Sequence, residues 1–227
     1  LAPYINKDDE GFLRTLTIRE GKRTGERLIE LMTTHAPEAL FDGETVAAEE
    51  IADRFRDAAL DIADEIGGEL TSVYWTQKRA VRGEPTRFIE HHLAGNEVLN
   101  EQLHLPDEQV LTFEIHPRAF FQPNTLQAET LYEMVLGATD LKSDDSAGSV
   151  LDLYCGTGTI ALCMAPYADS VAGIELQKDA VENARQNART NGIDNVEFFA
   201  GDVGDVLESD DFRREVGEVE TVVVDPP

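Results

Sequence analysis

The segment Tyr154-Cys155-Gly156-Thr157-Gly158-Thr159-Ile160-Ala161 follows a strand-like run, VLDLY (150–154), and opens a helical pattern near Thr159. Glycines at a strand-to-helix turn let the backbone bend tightly and approach a ligand closely. Gly156, Gly158 and Ala161 satisfy the G-x-G-x-x-A form of the dinucleotide fingerprint. Glu175 ends the next strand-like run, SVAGIE, nineteen positions after Gly156. A carboxylate there can accept from two ribose hydroxyls. The alternative is a tight turn beside a solvated Glu. The loop and Glu175 alone do not separate a nicotinamide dinucleotide from S-adenosyl-L-methionine.

Two further acids bear on that choice. Asp202 closes FFAGD, where it can accept from an adenine amine or cap the following helix. Asp225 closes VETVVVD and precedes Pro226 and Pro227, a sequence that also reads as a rigid strand exit. Open α/β sheets bind ligands at the C-terminal ends of their strands. Glu175, Asp202 and Asp225 are therefore expected along one rim with the 154–159 loop. Three acids on that rim suit a cationic sulfonium cofactor better than a dinucleotide.

Before the loop lies FEIHPRAFFQPNTLQAETLYEMV (113–135). Phe120, Phe121, Gln122 and Asn124 fall at a strand-to-helix junction. The aromatic pair reads either as core packing or as a clamp. In the clamp, Phe121 stacks on a base and Gln122 offers its amide to the cofactor. Lys78, Arg79, Arg82 and Arg87, just after Tyr74 and Trp75, are either a phosphate-contact patch or scattered surface cations. His91, His92, His104 and His116 show no ligand spacing, and no metal site is expected. Cys155 and Cys163, the two cysteines, suggest neither a disulfide framework nor a metal site. A reducing cytoplasm is the expected compartment.

The elements that must position these residues fall into two parts. Residues 12–20 and 27–34 flank GKRTGE and predict a hairpin. Val46, Ile51, Phe55, Ala59, Ile62 and Ile66 recur at helical steps, predicting a helix over 45–66 that ends at Gly67 and Gly68. Strands are expected at 70–77, 88–93, 97–103 and 109–115. This gives an α+β domain over 1–118, the one that carries the candidate phosphate-contact patch. From 119 to 227 the pattern becomes regular. Asn124 caps a helix with Gln127 at its third position, ending at Gly137, and a polar linker spans 142–148. Strands at 150–154, 170–175, 195–202 and 219–225 then alternate with helices, as in parallel βαβ units.

The whole chain sets the frame. It has 227 residues, 41% of them hydrophobic, enough for a core. It has no eighteen-residue apolar run and no signal-peptide pattern, so neither membrane nor export is expected. The formal charge is -26, with fourteen arginines to five lysines. The acids are dispersed along helices rather than gathered in a tail, which suggests a salt-rich cell interior. The chain lacks a starting Met and stops at VVVDPP, and is expected to be a fragment cut at both ends.

FFQPN (120–124), LDLYCGTGTI (151–160), GIELQKDAVENARQNARTNG (173–192), FFAGD (198–202) and VVVDPP (222–227) together resemble the RNA uracil-5-methyltransferase family. LRTLTIREGKRTGERLIELMTT (13–34) resembles the start of its central domain. The pattern is haloarchaeal-like. The resemblance implies a doubly wound, Rossmann-like class I methyltransferase domain behind an α+β domain. It also implies S-adenosyl-L-methionine as cofactor and rRNA or tRNA, not DNA, as substrate. By it, Gln122, Tyr154, Gly156, Gly158, Thr159, Glu175, Asp202 and Asp225 bind the cofactor; Thr159 departs from the family's usual Asn. In the implied reaction a cysteine thiolate adds to C6 of uracil, C5 takes the methyl, and a base removes the C5 proton. The family's S-C-N-P cysteine and its base would lie beyond Pro227, and neither Cys155 nor Cys163 matches. The expectation is a chain that holds the cofactor but is inactive alone. An amino-methyltransferase using Asp225-Pro226-Pro227, a NAD-dependent oxidoreductase and a non-catalytic RNA-binding remnant are the alternatives.

Overall fold

The computed structural model describes residues 2–5, 11–65, 70–139, 141 and 148–226. Most of the expected 142–148 linker lies outside them. The chain forms two compact units, 1–21 with 25–99, and 22–24 with 100–227. This differs from the expected boundary at 118/119. The strands Leu99–His104 (β7) and Val110–Ile115 (β8) pair with each other, and Asn100 onward belongs to the second unit. The reason is specific side-chain bonding. The Thr112 and Glu114 N–H groups donate to Asn191 and Asn187 at 2.7 and 2.9 Å, which fastens β8 to the helix Lys178–Thr190 (α4). Asparagine partners so far along the chain leave no periodic signal.

In the first unit, Leu13–Glu20 (β1), Arg27–Thr34 (β2), Ser72–Arg79 (β5) and Arg87–Gly95 (β6) form one sheet in the order β1-β2-β5-β6. β2 and β5 are parallel; the other neighbours are antiparallel. The segment between β2 and β5 holds a hairpin, Glu38–Phe41 (β3) with Glu44–Ala47 (β4), and a helix, Ala48–Glu65 (α1). The helix therefore starts three residues later than expected, and Val46 lies on a strand. Asp42 and Gly43, with φ of 51° and 86°, make the turn. An Asp-Gly pair is a strong signal for a two-residue hairpin. Ile51 and Ala52 of α1 pack with Val46, Phe12 and Trp75 to form this unit's core.

The second unit carries the regular alternation. Ser149–Leu153 (β9), Ser170–Glu175 (β10), Val196–Ala200 (β11) and Thr221–Val224 (β12) form a wholly parallel sheet in the order β11-β10-β9-β12. Thr125–Ala138 (α2) precedes β9, Thr159–Met164 (α3) follows it, and α4 joins β10 to β11. Val203–Glu208 (α5) and Asp210–Val216 (α6) join β11 to β12, divided at Ser209, which caps α6. Strand side chains alternate between faces. On one face Leu151, Ala172 and Ile174 pack with Phe212 of α6 and with Val203, Val206 and Leu207 of α5. On the other, Phe198 lies against Gly158 and Ala184, at the start of α3 and on α4. Helices thus cover both faces of a doubly wound α/β sheet, as expected from the alternation. Asn124 caps α2 by accepting from the Gln127 N–H, also as expected.

Candidate functional site

Strand register sets the site. Leu153 pairs with Ile174 on one side and Val224 on the other, and Glu175 pairs with Ala200. Tyr154, Glu175, Asp202 and Asp225 consequently leave the sheet at the same edge. The chain runs outward from β9 to β10 and β11, then returns to add β12 on β9's other side. This reversal opens a crevice at the C-terminal end of β9. A cavity of about 550 Å³ occupies it, within the usual range for small-molecule sites.

Seven of the eight residues expected at a cofactor border this cavity: Gln122, Tyr154, Gly156, Thr159, Glu175, Asp202 and Asp225. Gly158 does not. It stands behind the cavity with φ of 79°, and an added Cβ would come within 2.7 Å of the Phe198 ring and 2.9 Å of the Ala184 methyl. Its glycine serves the close approach of helix and strand. Of the two readings of the aromatic pair, Phe121 takes the packing one rather than the clamp. It is half-buried and packs on Phe113 at 5.6 Å between ring centres, and Phe120, 70% exposed, is the ring at the cavity wall. Nothing in the FF pair distinguishes the two in sequence; strand-exit geometry chooses.

The loop is held from several directions. Glu175 accepts from the Gly156 N–H at 3.2 Å and the Gln177 N–H at 2.8 Å. Its carboxylate thus locks the loop while facing the cavity. The Thr157 hydroxyl lies 3.4 Å from both the Phe120 carbonyl and the Thr159 hydroxyl. Tyr154 takes a φ of 65°, uncommon for a residue with a side chain, at the turn itself. Asp202 caps α5, its Oδ1 accepting from the Gly204 N–H at 2.9 Å and, at 3.4 Å, from the Asp205 N–H. Its Oδ2 has no protein partner among the described residues. Capping and cavity lining therefore coexist.

Sequence reading passed over Asp152. It is fully buried on β9 and borders the cavity. Oδ2 accepts from the Ala161 N–H at 3.0 Å, but Oδ1 has no hydrogen-bond partner among the described residues. Burial, with the nearby Asp225 and Glu175 charges, pushes its carboxyl up to about 7. The signal available was the acid inside an otherwise apolar strand, VLDLY. With Asp152, four carboxyl groups border the cavity, and among the described residues no Lys, Arg or His does. Such a wall favours cations, amines and hydroxyls and disfavours phosphates. Cys155 and Cys163 are both buried, and burial raises both thiols. Neither is a competent thiolate nucleophile. Among the described residues no group of three or more His, Cys, Asp or Glu side chains is placed to hold a metal. Among the described residues no helix is long and apolar enough to cross a membrane.

Fold and site define the class. The second unit has the Rossmann-like α/β fold of class I methyltransferases, and residues 144–223 match the family described as "Methyltransferase domain". The whole chain is similar to larger proteins. It is 41% identical over 224 residues to an "Uncharacterized RNA methyltransferase" of Protochlamydia amoebophila, covering 96% of this chain and 48% of the relative. It is 37% identical over 227 residues to another so named from Gloeobacter violaceus, covering 99% and 42%. Among solved structures, it is similar to the Pyrococcus abyssi tRNA (uracil-54, C5)-methyltransferase in complex with S-adenosyl-L-homocysteine. That match has a TM-score of 0.65 and 28% identity, over 97% of this chain and 45% of the other. The chain spans about half the length of the curated relatives it matches.

Proposed function

We propose that this chain is the cofactor-binding part of an S-adenosyl-L-methionine-dependent RNA methyltransferase acting at C5 of a uridine in rRNA or tRNA. The observation that carries the cofactor is the cavity wall, which among the described residues holds Glu175, Asp202 and Asp225, with the raised Asp152 carboxyl behind them, and no cation. A dinucleotide would bring its pyrophosphate against those charges, whereas a sulfonium carries the complementary one. Glu175 accepts from the ribose hydroxyls and the free Oδ2 of Asp202 from the adenine amine. Gln122 offers its amide, and Tyr154, Gly156 and Thr159 line the cofactor's path, with Gly158 supporting the turn. Asp225 stands beside the β9 loop, where the reacting end lies. The cofactor supplies an electrophilic methyl group. Of Phe120 and Phe121, the exposed Phe120 ring is the one available to a flat base.

RNA as substrate is supported by the relatives' names, and the C5 position by the Pyrococcus neighbour together with the FFQPN and LDLYCGTG motifs. Under this reading the C6 nucleophile is a cysteine other than Cys155 or Cys163. The full-length protein tests it with RNA carrying 5-tritiated uridine. Cofactor-dependent release of tritium is the expected result. Methylation with full retention of tritium would instead assign an exocyclic amine held at Asp225-Pro226. On the 227-residue chain, calorimetry should show binding of S-adenosylhomocysteine and none of NAD; the reverse would overturn the cofactor assignment.

A further inference from the structure

We infer that the end of the β5–β6 hairpin is a phosphate-binding surface for the RNA backbone. This rests on the RNA reading above and adds the surface that holds the substrate. Within 78–87, four cations, Lys78, Arg79, Arg82 and Arg87, face a single carboxylate, Glu84, in a chain of formal charge -26. Cross-strand register clusters them. Arg79 lies opposite Arg87 on one face of the hairpin, and Lys78 opposite Phe88 on the other. Arg82 sits in the connecting loop, where every residue from 80 to 86 is exposed.

Like charges directly opposite across a strand pair are destabilising, so the Arg79–Arg87 pair is poor design for stability alone. Elsewhere, several arginines are neutralised singly. Arg23, Arg54, Arg56, Arg185 and Arg214 each hold a carboxylate within 2.8 Å. At the hairpin end, Arg79 reaches Glu84 at 3.8 Å, and Arg82 and Arg87 have no ion pair among the described residues. It is the clustering of these cations around one carboxylate, in so acidic a protein, that favours an anion from outside.

The base of the surface is stiff. β5 is an interior strand, buried from Ser72 to Gln77. The His35 N–H donates to the Lys78 carbonyl at 3.0 Å, so the chain after β2 is tied to the end of β5. On the same face as Arg79 and Arg87, His91 stacks on Trp75 at 4.6 Å and its ring lies 3.4 Å from the Gln77 amide oxygen. Cations at the ends of fixed strands lose less freedom when they meet a phosphate than cations on a loose tail. Contacts of this kind position the substrate without reading its sequence.

The test compares full-length wild type with the double variant Arg82→Gln/Arg87→Gln over a series of salt concentrations. Two lost phosphate contacts should weaken RNA binding by roughly tenfold or more and flatten the slope of log K against log salt by about 1 or more. RNAs of different sequence should be affected equally, and S-adenosylhomocysteine affinity should not change. The control variant Arg185→Gln/Arg214→Gln should keep the wild-type slope. A double variant with wild-type slope and affinity overturns the surface while the RNA reading stands. A wild type that binds no RNA overturns both. Displacement of RNA from other sites only, with this hairpin protected instead by polyglutamate, would assign the surface to an acidic protein and overturn the inference.

Discussion

Asp152 shows how one buried carboxyl ties the fold to acidity. In the folded protein it keeps its proton up to about pH 7, whereas its ordinary value is 3.8. Between those values the unfolded chain has released a proton that the folded chain still holds. Stability is therefore lost as pH rises from about 4 to about 7, and the loss is complete above that. Asp152→Asn removes this slope. Chemical denaturation of the two proteins should show the variant gaining on wild type across that window, by up to a few kcal/mol, with a constant difference above it. A difference that does not vary with pH would contradict the assignment. Glu175 has another role, since its two oxygens already hold the Gly156 and Gln177 N–H groups. Glu175→Gln should lower S-adenosylhomocysteine affinity by about tenfold or more, because a charge-assisted bond contributes roughly 1.5–3 kcal/mol. Calorimetry reads this directly, and an unchanged affinity would remove Glu175 from the site.

At the scale of elements, the turn between β9 and α3 depends on how closely α4 and β11 approach it. Gly158 has the positive φ and the absent Cβ that this contact requires. Gly158→Ala should cost about 1–3 kcal/mol through overpacking, with further strain from its backbone angle. Urea denaturation checks the stability. Cofactor affinity should fall as well, although Gly158 does not touch the cavity, because the loop moves with the helix. The G-x-G spacing made this turn legible in the sequence. Which glycine faces the cavity and which faces Phe198 was not legible, because both fit the same pattern. The β3–β4 hairpin gives a complementary case. Its Asp42-Gly43 turn is explicit in the sequence, yet the strong helical pattern from Ile51 onward draws Val46, five residues earlier, into the predicted helix.

At the scale of the whole molecule, the charge of -26 acts as self-repulsion spread over both units. Raising salt from about 0.1 M to about 1 M shortens the screening length from roughly 10 Å to 3 Å. The melting temperature of the chain is expected to rise over that range. A melting temperature that falls with sodium chloride would mean that the exposed arginine–carboxylate pairs outweigh the net repulsion. Such pairs contribute little individually, so the rise is the expected sign.

The amino-acid order by itself determined the alternation of β9 to β12 with their helices, and so the parallel sheet. Its spacing places Gly156, Glu175, Asp202 and Asp225 at strand ends. Hydrophobic period and turn chemistry are local properties, and they survive in a single sequence. Tertiary structure alone decided what those residues meet. It put Phe120 rather than Phe121 at the cavity wall and Gly158 behind it. It left Asp152 buried with one oxygen unpaired. It also attached β8 to α4 through Asn187 and Asn191, moving the boundary between the units to 99/100. Burial and cross-chain hydrogen bonds depend on partners tens of residues away, and no local pattern of residue types encodes that distance.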